Sequence, residues 1–196
     1  MKKLCFLGTL VALSVTMSCN NDENEVPNPE VSSDEVSFGS NEALIKSGTF
    51  RDLGNYDVIM DDYQDSEESL FESASHFGSF FRLSDGTYDS ATGEFNDSEI
   101  IIRTELFSSG GSQFRRGTFD FMEATELDGQ PSVAVGKNFF SDLVVEYQGE
   151  TSRATAGTIA IAGTSPDWVI SFDVSLGVST TLKGAYDGDL VKLSSE

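Results

Sequence analysis

Apolar and polar residues alternate with a period of two in run after run along the chain. Such alternation puts apolar side chains on one face of a β-strand and polar side chains on the other. The runs are Tyr56/Val58/Met60, Phe77/Phe81/Leu83, Ile100/Ile102/Leu106, Phe119/Phe121, Leu143/Val145/Tyr147 and Trp168/Ile170/Phe172/Val174. Charged residues such as Arg82, Arg103, Glu146 and Asp173 occupy the alternate positions. The pattern therefore predicts half-buried strands of an antiparallel sheet.

Turn-forming residues separate these runs, as in Ser84-Asp85-Gly86, Ser109-Gly110-Gly111 and Asp187-Gly188. Glycine and aspartate at such positions favour tight turns, so hairpins are the expected connections. The sequence thus predicts an all-β fold, either a single antiparallel barrel or a sandwich of about eight strands.

One segment does not alternate and instead predicts a short helix. Asp65 would cap it, with Glu68 three residues later completing a capping box. The helix would run through Leu70, Phe71 and Ala74, and it would persist only by packing Leu70 and Phe71 onto the sheet.

The N-terminal residues 1–18 predict a lipoprotein signal peptide. Lys2 and Lys3 precede an apolar stretch that is too short to span a bilayer, and small or polar residues lead up to Cys19. The segment Val15-Thr16-Met17-Ser18-Cys19 resembles the lipobox of bacterial lipoproteins. That resemblance implies acylation of Cys19 and attachment to a membrane through the lipid.

Residues 19–35 predict a lipid-anchored, acidic and disordered tether, and residues 36–196 predict one all-β domain. In similar lipoproteins, acidic residues soon after the acylated cysteine accompany display on the outer face of the outer membrane. The resemblance therefore implies a protein anchored in the outer membrane and exposed at the cell surface.

Charge excludes one class of partner. The chain has 33 Asp and Glu against 12 Lys and Arg, a net charge of −21. Nucleic acids are recognised by clustered basic residues that displace counterions, so no nucleic acid is expected as a partner. Because Cys5 lies in the signal and Cys19 would carry lipid, disulfides and cysteine-based chemistry are also excluded.

The candidate residues for chemistry are few. His76 is the sole histidine, and because no G-x-S-x-G elbow accompanies it we expect a structural role and no enzyme activity. Trp168 lies on the apolar side of its run, which predicts a core position.

Two acidic clusters are candidates for calcium, which takes oxygen ligands from carboxylates. Neither has the spacing of an EF-hand loop, and turn-forming or solvated acids explain them equally well. The first cluster is Asp61, Asp62, Asp65, Glu67 and Glu68, and the second is Asp85, Asp89, Glu94, Asn96 and Asp97.

Several segments resemble uncharacterised surface lipoproteins of Bacteroidota. They are GTIAIAG, WVISFDVSLG and TLKGAYDGDL between Gly157 and Leu190, IKSGTFRDLGNYDV from Ile45, and ELFSSG and RRGTFDF between Glu105 and Phe121. The resemblance implies an all-β domain, calycin-like or sandwich-type, and it brings no catalytic residues.

Three functions remain open at this point. The first is a non-enzymatic module that binds a small molecule, a glycan or a protein partner. The second is a structural or accessory subunit of an envelope assembly, and the third is a hydrolase that uses carboxylates alone. A hollow apolar barrel would favour a carrier, an apolar surface patch would favour a subunit, and converging acids in a deep pocket would favour an enzyme. No cofactor other than calcium is expected.

Overall fold

The computed structural model of the chain describes residues 34–58, 74–125, 134–164 and 166–194. They are almost entirely β-structure. The strands are β1 (Glu35–Phe38), β2 (Asn41–Leu44), β3 (Ser47–Val58), β4 (Ala74–Ser84), β5 (Thr87–Asp89), β6 (Glu94–Asn96), β7 (Ile100–Ser109), β8 (Gly117–Phe121), β9 (Phe139–Phe140), β10 (Leu143–Tyr147), β11 (Glu150–Thr164), β12 (Asp167–Leu176) and β13 (Thr180–Lys192).

Seven of these strands pair in a closed cycle. In order around the cycle they are β3, β4, β7, β10, β11, β12 and β13, and β13 returns to β3 through a parallel pairing at Leu190–Lys192. Every other pairing in the cycle is antiparallel. The arrangement is barrel-like, with one face of each strand turned inward.

The remaining strands extend this framework. β8 and β9 pair in parallel and fill the space between β11 and β7 beyond the end of β10. The β1–β2 hairpin adds to the edge of β13, while β5 and β6 form a separate two-stranded sheet. We call this last pair the β5–β6 hairpin.

Two details of the predicted fold were wrong: the sheet is mixed rather than antiparallel, and the described residues contain thirteen strands rather than about eight. Strands of two to four residues, such as β5, β6 and β9, are too short to show alternation. A period of two also carries no information about which strand lies alongside, so neither parallel pair could be read from the pattern.

The predicted inward faces are largely confirmed. Trp168, Ile170, Phe172 and Val174 of β12 are all buried, as are the predicted residues of β7 and, in β10, Leu143 and Val145, whereas Tyr147 is half-buried. Together with residues from every other strand of the cycle they form one continuous core. Their side chains occupy the inside of the barrel-like ring, because alternate residues of each strand point to the same face.

Tyr56 is the exception to this pattern. The pairing of β3 with β4 shifts by one residue between Asp52 and Gly54, which is a β-bulge. Because a one-residue shift exchanges the two faces of a strand, Tyr56 lies on the outside, is 47% exposed, and contacts Phe107 of β7. A bulge depends on the partner strand, so alternation along β3 alone predicted the wrong face.

Several predicted features lie outside the described residues: the signal peptide, Cys19, nearly all of the tether, Met60, and the predicted helix up to residue 73. Ala74, which the prediction placed in the helix, begins β4. No helix within the described residues has the length and apolarity needed to cross a membrane.

Candidate functional site

The connection between β7 and β8, residues 110–116, packs against the end of the ring where β12 begins. We call this end the mouth and residues 110–116 the mouth loop. Phe114 is the half-buried residue of the loop that packs against the main core. Because Phe114 packs against residues of several strands, the residues that it contacts define the candidate site.

Phe114 joins an aromatic cluster at the mouth. Its ring lies parallel to that of Phe119, with the centroids 5.5 Å apart, and it is tilted against Phe81 at 5.5 Å and Trp168 at 6.4 Å. Phe50 completes the cluster, 5.2 Å from Trp168 and 6.0 Å from Phe81. Offset and tilted arrangements in this range of distances are the favourable ones for aromatic rings.

Trp168 is buried in the core, as the sequence predicted, with 6% of its surface exposed. Its indole Nε1 is also buried, and no acceptor for its proton is present among the residues that the structure describes. An N–H that is buried without a partner costs about 1–3 kcal/mol, and buried tryptophan N–H groups usually find an acceptor. The mouth therefore contains a buried hydrogen-bond donor that has no acceptor among the described residues.

A depression of about 450 Å³ opens beside this cluster. Its volume falls within the range of small-molecule sites. The lining residues are Gln113, Phe114, Arg115, Arg116, Ile161 and Ala162. They carry two positive charges and no negative one, although acids outnumber bases by 33 to 12 in the chain. The depression therefore combines an apolar floor with a cationic rim.

The two halves of the mouth loop are held differently. After Phe114, the backbone N–H of Arg115 donates to Ser108 Oγ at 3.0 Å, and the Arg116 guanidinium donates to the carbonyl of Gly163. Before Phe114, the loop contains Gly110, Gly111 and exposed polar residues, and among the described residues its backbone is held by the N–H of Gly110, which donates to Ser75 O at 2.9 Å. The two arginines are thus more firmly placed than the residues that lead into Phe114.

Four other arginines lie on the outer face of β3, β4, β7 and β11. Three of them form ion pairs with acids on neighbouring elements: Arg82–Glu94, Arg103–Glu146 and Arg153–Asp142. The guanidinium of Arg51 instead lies over the ring of Phe80, 5.3 Å from its centroid. Two outer-face depressions in this region are lined by acids as well as arginines, and a third is lined by acids without an arginine among the described residues. These paired charges make the outer face a poorer anion site than the mouth.

His76 has a structural environment. It is fully buried, its ring meets Phe139 edge-on at 5.0 Å, and its Nε2 lies 3.0 Å from two carbonyl oxygens, those of Ala134 and Lys137. Two acceptors at one nitrogen require that this nitrogen carry the proton. The ring therefore ties the segment after residue 133 to the outside of β4.

The described calcium candidates cap turns. Asp85 Oδ1 accepts the backbone N–H groups of Glu99 and Ile100, both at 3.0 Å, and Asp89 Oδ1 accepts that of Ala91 at 2.8 Å. Asp97 has a positive φ of 56°, which aspartate tolerates better than most residues. Within the described residues no group of three potential ligands is placed to hold a metal ion. Asp61, Asp62 and Asp65 lie outside them, so calcium binding stays a prediction.

An acidic pair that the sequence did not reveal lies near the mouth, where β12 pairs with β13. Asp167 is directly opposite Asp189, and a hydrogen bond between the two carboxyl groups raises the pKa of Asp189, with smaller contributions from burial and charge repulsion. Tyr186 donates to the carbonyl of Asp189 at 2.7 Å. Burial, followed by the charges of nearby aspartates, raises the pKa of Tyr186 to about 12. The tyrosine hydroxyl therefore stays protonated at neutral pH.

Comparison with known proteins adds no functional assignment, because no protein-family model, curated protein or solved structure matches the chain. The resemblance to surface lipoproteins of Bacteroidota has no support from these comparisons and stays a prediction.

Sequence reasoning also missed Phe114, Arg115 and Arg116. The one local signal was a pair of adjacent arginines shortly after Gly-Gly in an acidic chain.

Proposed function

We propose that this chain is a lipid-anchored, non-enzymatic binding module of the cell envelope that takes a small ligand at the mouth. The observation that carries the proposal is the aromatic cluster at the mouth, where Trp168 Nε1 is buried without an acceptor among the described residues and the neighbouring Phe114 lines a depression of about 450 Å³. A ligand that fills this depression and accepts that proton would remove the cost of the unpaired donor.

The chemistry of the lining supports binding rather than catalysis. Arginine stays protonated at any physiological pH, and glutamine, phenylalanine, isoleucine and alanine do not exchange protons. General acid–base catalysis needs a group that can both hold and release a proton near the operating pH. The lining of the depression offers hydrogen bonds, positive charge and apolar contact instead.

Native mass spectrometry of the full chain, released gently from the membrane fraction in mild detergent, tests the proposal. We expect a fraction of the protein to carry one small molecule, which is lost when the gas-phase activation is raised. Spectra with added calcium provide the comparison for the metal. A protein that carries neither a small molecule nor calcium, from any growth condition, would contradict a small-ligand function.

The predicted lipid anchor on Cys19 can be tested separately. A Cys19→Ser variant has no thiol to acylate, so we expect it in the soluble fraction, whereas the parent protein partitions with membranes. Fractionation followed by immunoblotting measures the difference, and Cys5→Ser is the matched control because that residue would be removed with the signal. A Cys19→Ser variant that still partitions with membranes would refute the anchor.

The accessory-subunit function is the second candidate, and an apolar patch on the outer face favours it. Leu53 is 41% exposed and Tyr56 47% exposed. Both lie next to Phe107, which belongs to a second small core outside the ring. Tyr56→Ser and Leu53→Ser should then weaken co-purification of an envelope protein, without altering small-molecule retention.

A further inference from the structure

We infer that the mouth loop is a built-in competitor, and that the ligand is an aromatic anion whose ring takes the place of the Phe114 side chain while its acidic group pairs with Arg115 and Arg116. This inference rests on the proposed function, because it names the ligand class and the control of the same site.

Phe114 occupies a subsite rather than forming part of the sheet. Its ring comes from a loop and packs on one side against Phe119, and it reaches Phe81 and Trp168 of two other strands. Apart from Ile45, which lies between β2 and β3, the fully buried core residues belong to strands that pair with one another. Because Phe114 belongs to a loop, its side chain can leave the aromatic cluster without breaking any strand pairing.

The aromatic cluster around Phe114 contains a buried hydrogen-bond donor. Trp168, whose ring centroid lies 6.4 Å from that of Phe114, has a buried Nε1 that lacks an acceptor among the described residues. A phenylalanine side chain has no acceptor atom, so Phe114 fills the aromatic space but leaves this donor unpaired. An aromatic ligand with an oxygen substituent would fill the same space and also accept the proton, and that difference favours the ligand over the loop.

Charge at the depression favours an anion. The exposed side chains of Arg115 and Arg116 directly follow Phe114 in sequence, and no acid is among the described residues that line the depression. Arginine binds carboxylates and related anions with paired, charge-assisted hydrogen bonds. A neutral aromatic compound would gain the stacking contacts but not this pairing. The acidic pair Asp167 and Asp189 lies at the same end of the ring but does not line the depression, so Arg115 and Arg116 would set its preference for an anion.

The two halves of the mouth loop are held to different extents. Arg115 and Arg116 are anchored to Ser108 and Gly163, whereas the residues that precede Phe114 include two consecutive glycines. The Phe114 side chain can therefore swing outward while the cationic rim stays in position. The apparent affinity of a site is reduced by the fraction of molecules in which it is closed, so the loop would hold the wild-type affinity low.

Titration of the full chain in non-ionic detergent with phenylacetate tests the inference, with phenylacetamide as the neutral match. Phenylacetate carries the same benzyl group as Phe114 together with a carboxylate. Trp168 is the sole tryptophan of the chain, so its fluorescence reports directly from the mouth. We expect Phe114→Ala to bind phenylacetate at least about tenfold more tightly than the wild type, because the competing side chain is gone.

Two controls accompany it. Phe95→Ala removes a half-buried phenylalanine from the β5–β6 hairpin, where it packs with Tyr88 away from the mouth, and should leave the affinity unchanged. If Phe114→Ala fails to fold, Phe114→Leu keeps an apolar contact in the loop and should still bind more tightly than the wild type.

The charge requirement is tested in the Phe114→Ala background. Adding Arg115→Gln and Arg116→Gln should remove the preference for phenylacetate over phenylacetamide, while adding Arg153→Gln, on the outer face, should preserve it. Equal binding of the acid and the amide to Phe114→Ala would overturn the anionic class.

If wild type and Phe114→Ala bind phenylacetate equally, the competitor role is wrong but the binding function stands. If neither binds it, the ligand class is wrong, and native mass spectrometry decides the binding function independently.

Discussion

Replacing Phe81 with alanine is expected to lower the free energy of unfolding by about 3–5 kcal/mol. Phe81 is 2% exposed and contacts Phe50, Phe114 and Trp168. The substitution removes a large buried side chain and leaves a void among rigid rings that cannot collapse to fill it. Urea denaturation followed by circular dichroism measures the change.

Phe80→Ala is the matched control, because the same residue type occupies the adjacent position of β4 on the opposite face. Phe80 is half exposed beneath Arg51, so its loss should cost about 1 kcal/mol or less. Equal effects at the two positions would show that the faces of β4 have been assigned wrongly, and with them the position of the mouth.

A second large effect is expected at Gly157, where β11 pairs with β12. This residue has a φ of +114°, and a Cβ atom there would lie 2.2 Å from the carbonyl oxygen of Asp173. Gly157→Ala must therefore both strain the backbone and push apart two paired strands. We expect a loss of about 3–5 kcal/mol in the free energy of unfolding, measured by the same urea titration.

Gly177→Ala distinguishes the contribution of the clash from that of the backbone. Gly177 also has a positive φ, +63°, but a Cβ atom at this turn would meet open space. Its replacement should cost about 1–2 kcal/mol, the penalty of a left-handed conformation alone. If Gly157→Ala proved no worse than Gly177→Ala, the close approach of β11 to β12 would be incorrect.

The aromatic cluster links stability to the proposed binding. Phe81 and Trp168 belong to the core, yet they also form the wall against which Phe114 rests. Changes at Phe81 would therefore alter both folding and binding, whereas a change at Phe114 is expected to act mainly on binding, because its side chain is only half buried. Phe114 is therefore the position at which binding can be tested separately from stability, whereas a change at Phe81 affects both.

Local sequence pattern predicted the strands that contain alternating runs and, in most of them, which residues face the core. Ile100, Ile102 and Leu106, and the run from Trp168 to Val174, were assigned correctly because side chains alternate along a strand whatever its partner. The assignment failed for Tyr56, because the bulge in β3 depends on its pairing with β4. The roles of Asp85 and Asp89 in turns were also open to prediction, since capping is local.

Tertiary structure alone decided the closure of the ring and the composition of the mouth. The parallel pairing of β13 with β3 joins residues about 140 positions apart, and no local pattern encodes such a partner. In the same way, the sequence placed Trp168 in the core but could not show that its N–H lacks an acceptor among the described residues, or that Phe114 packs near it and lines a depression with two arginines. Alternation is a property of one strand, whereas a site is formed by side chains that only folding brings together.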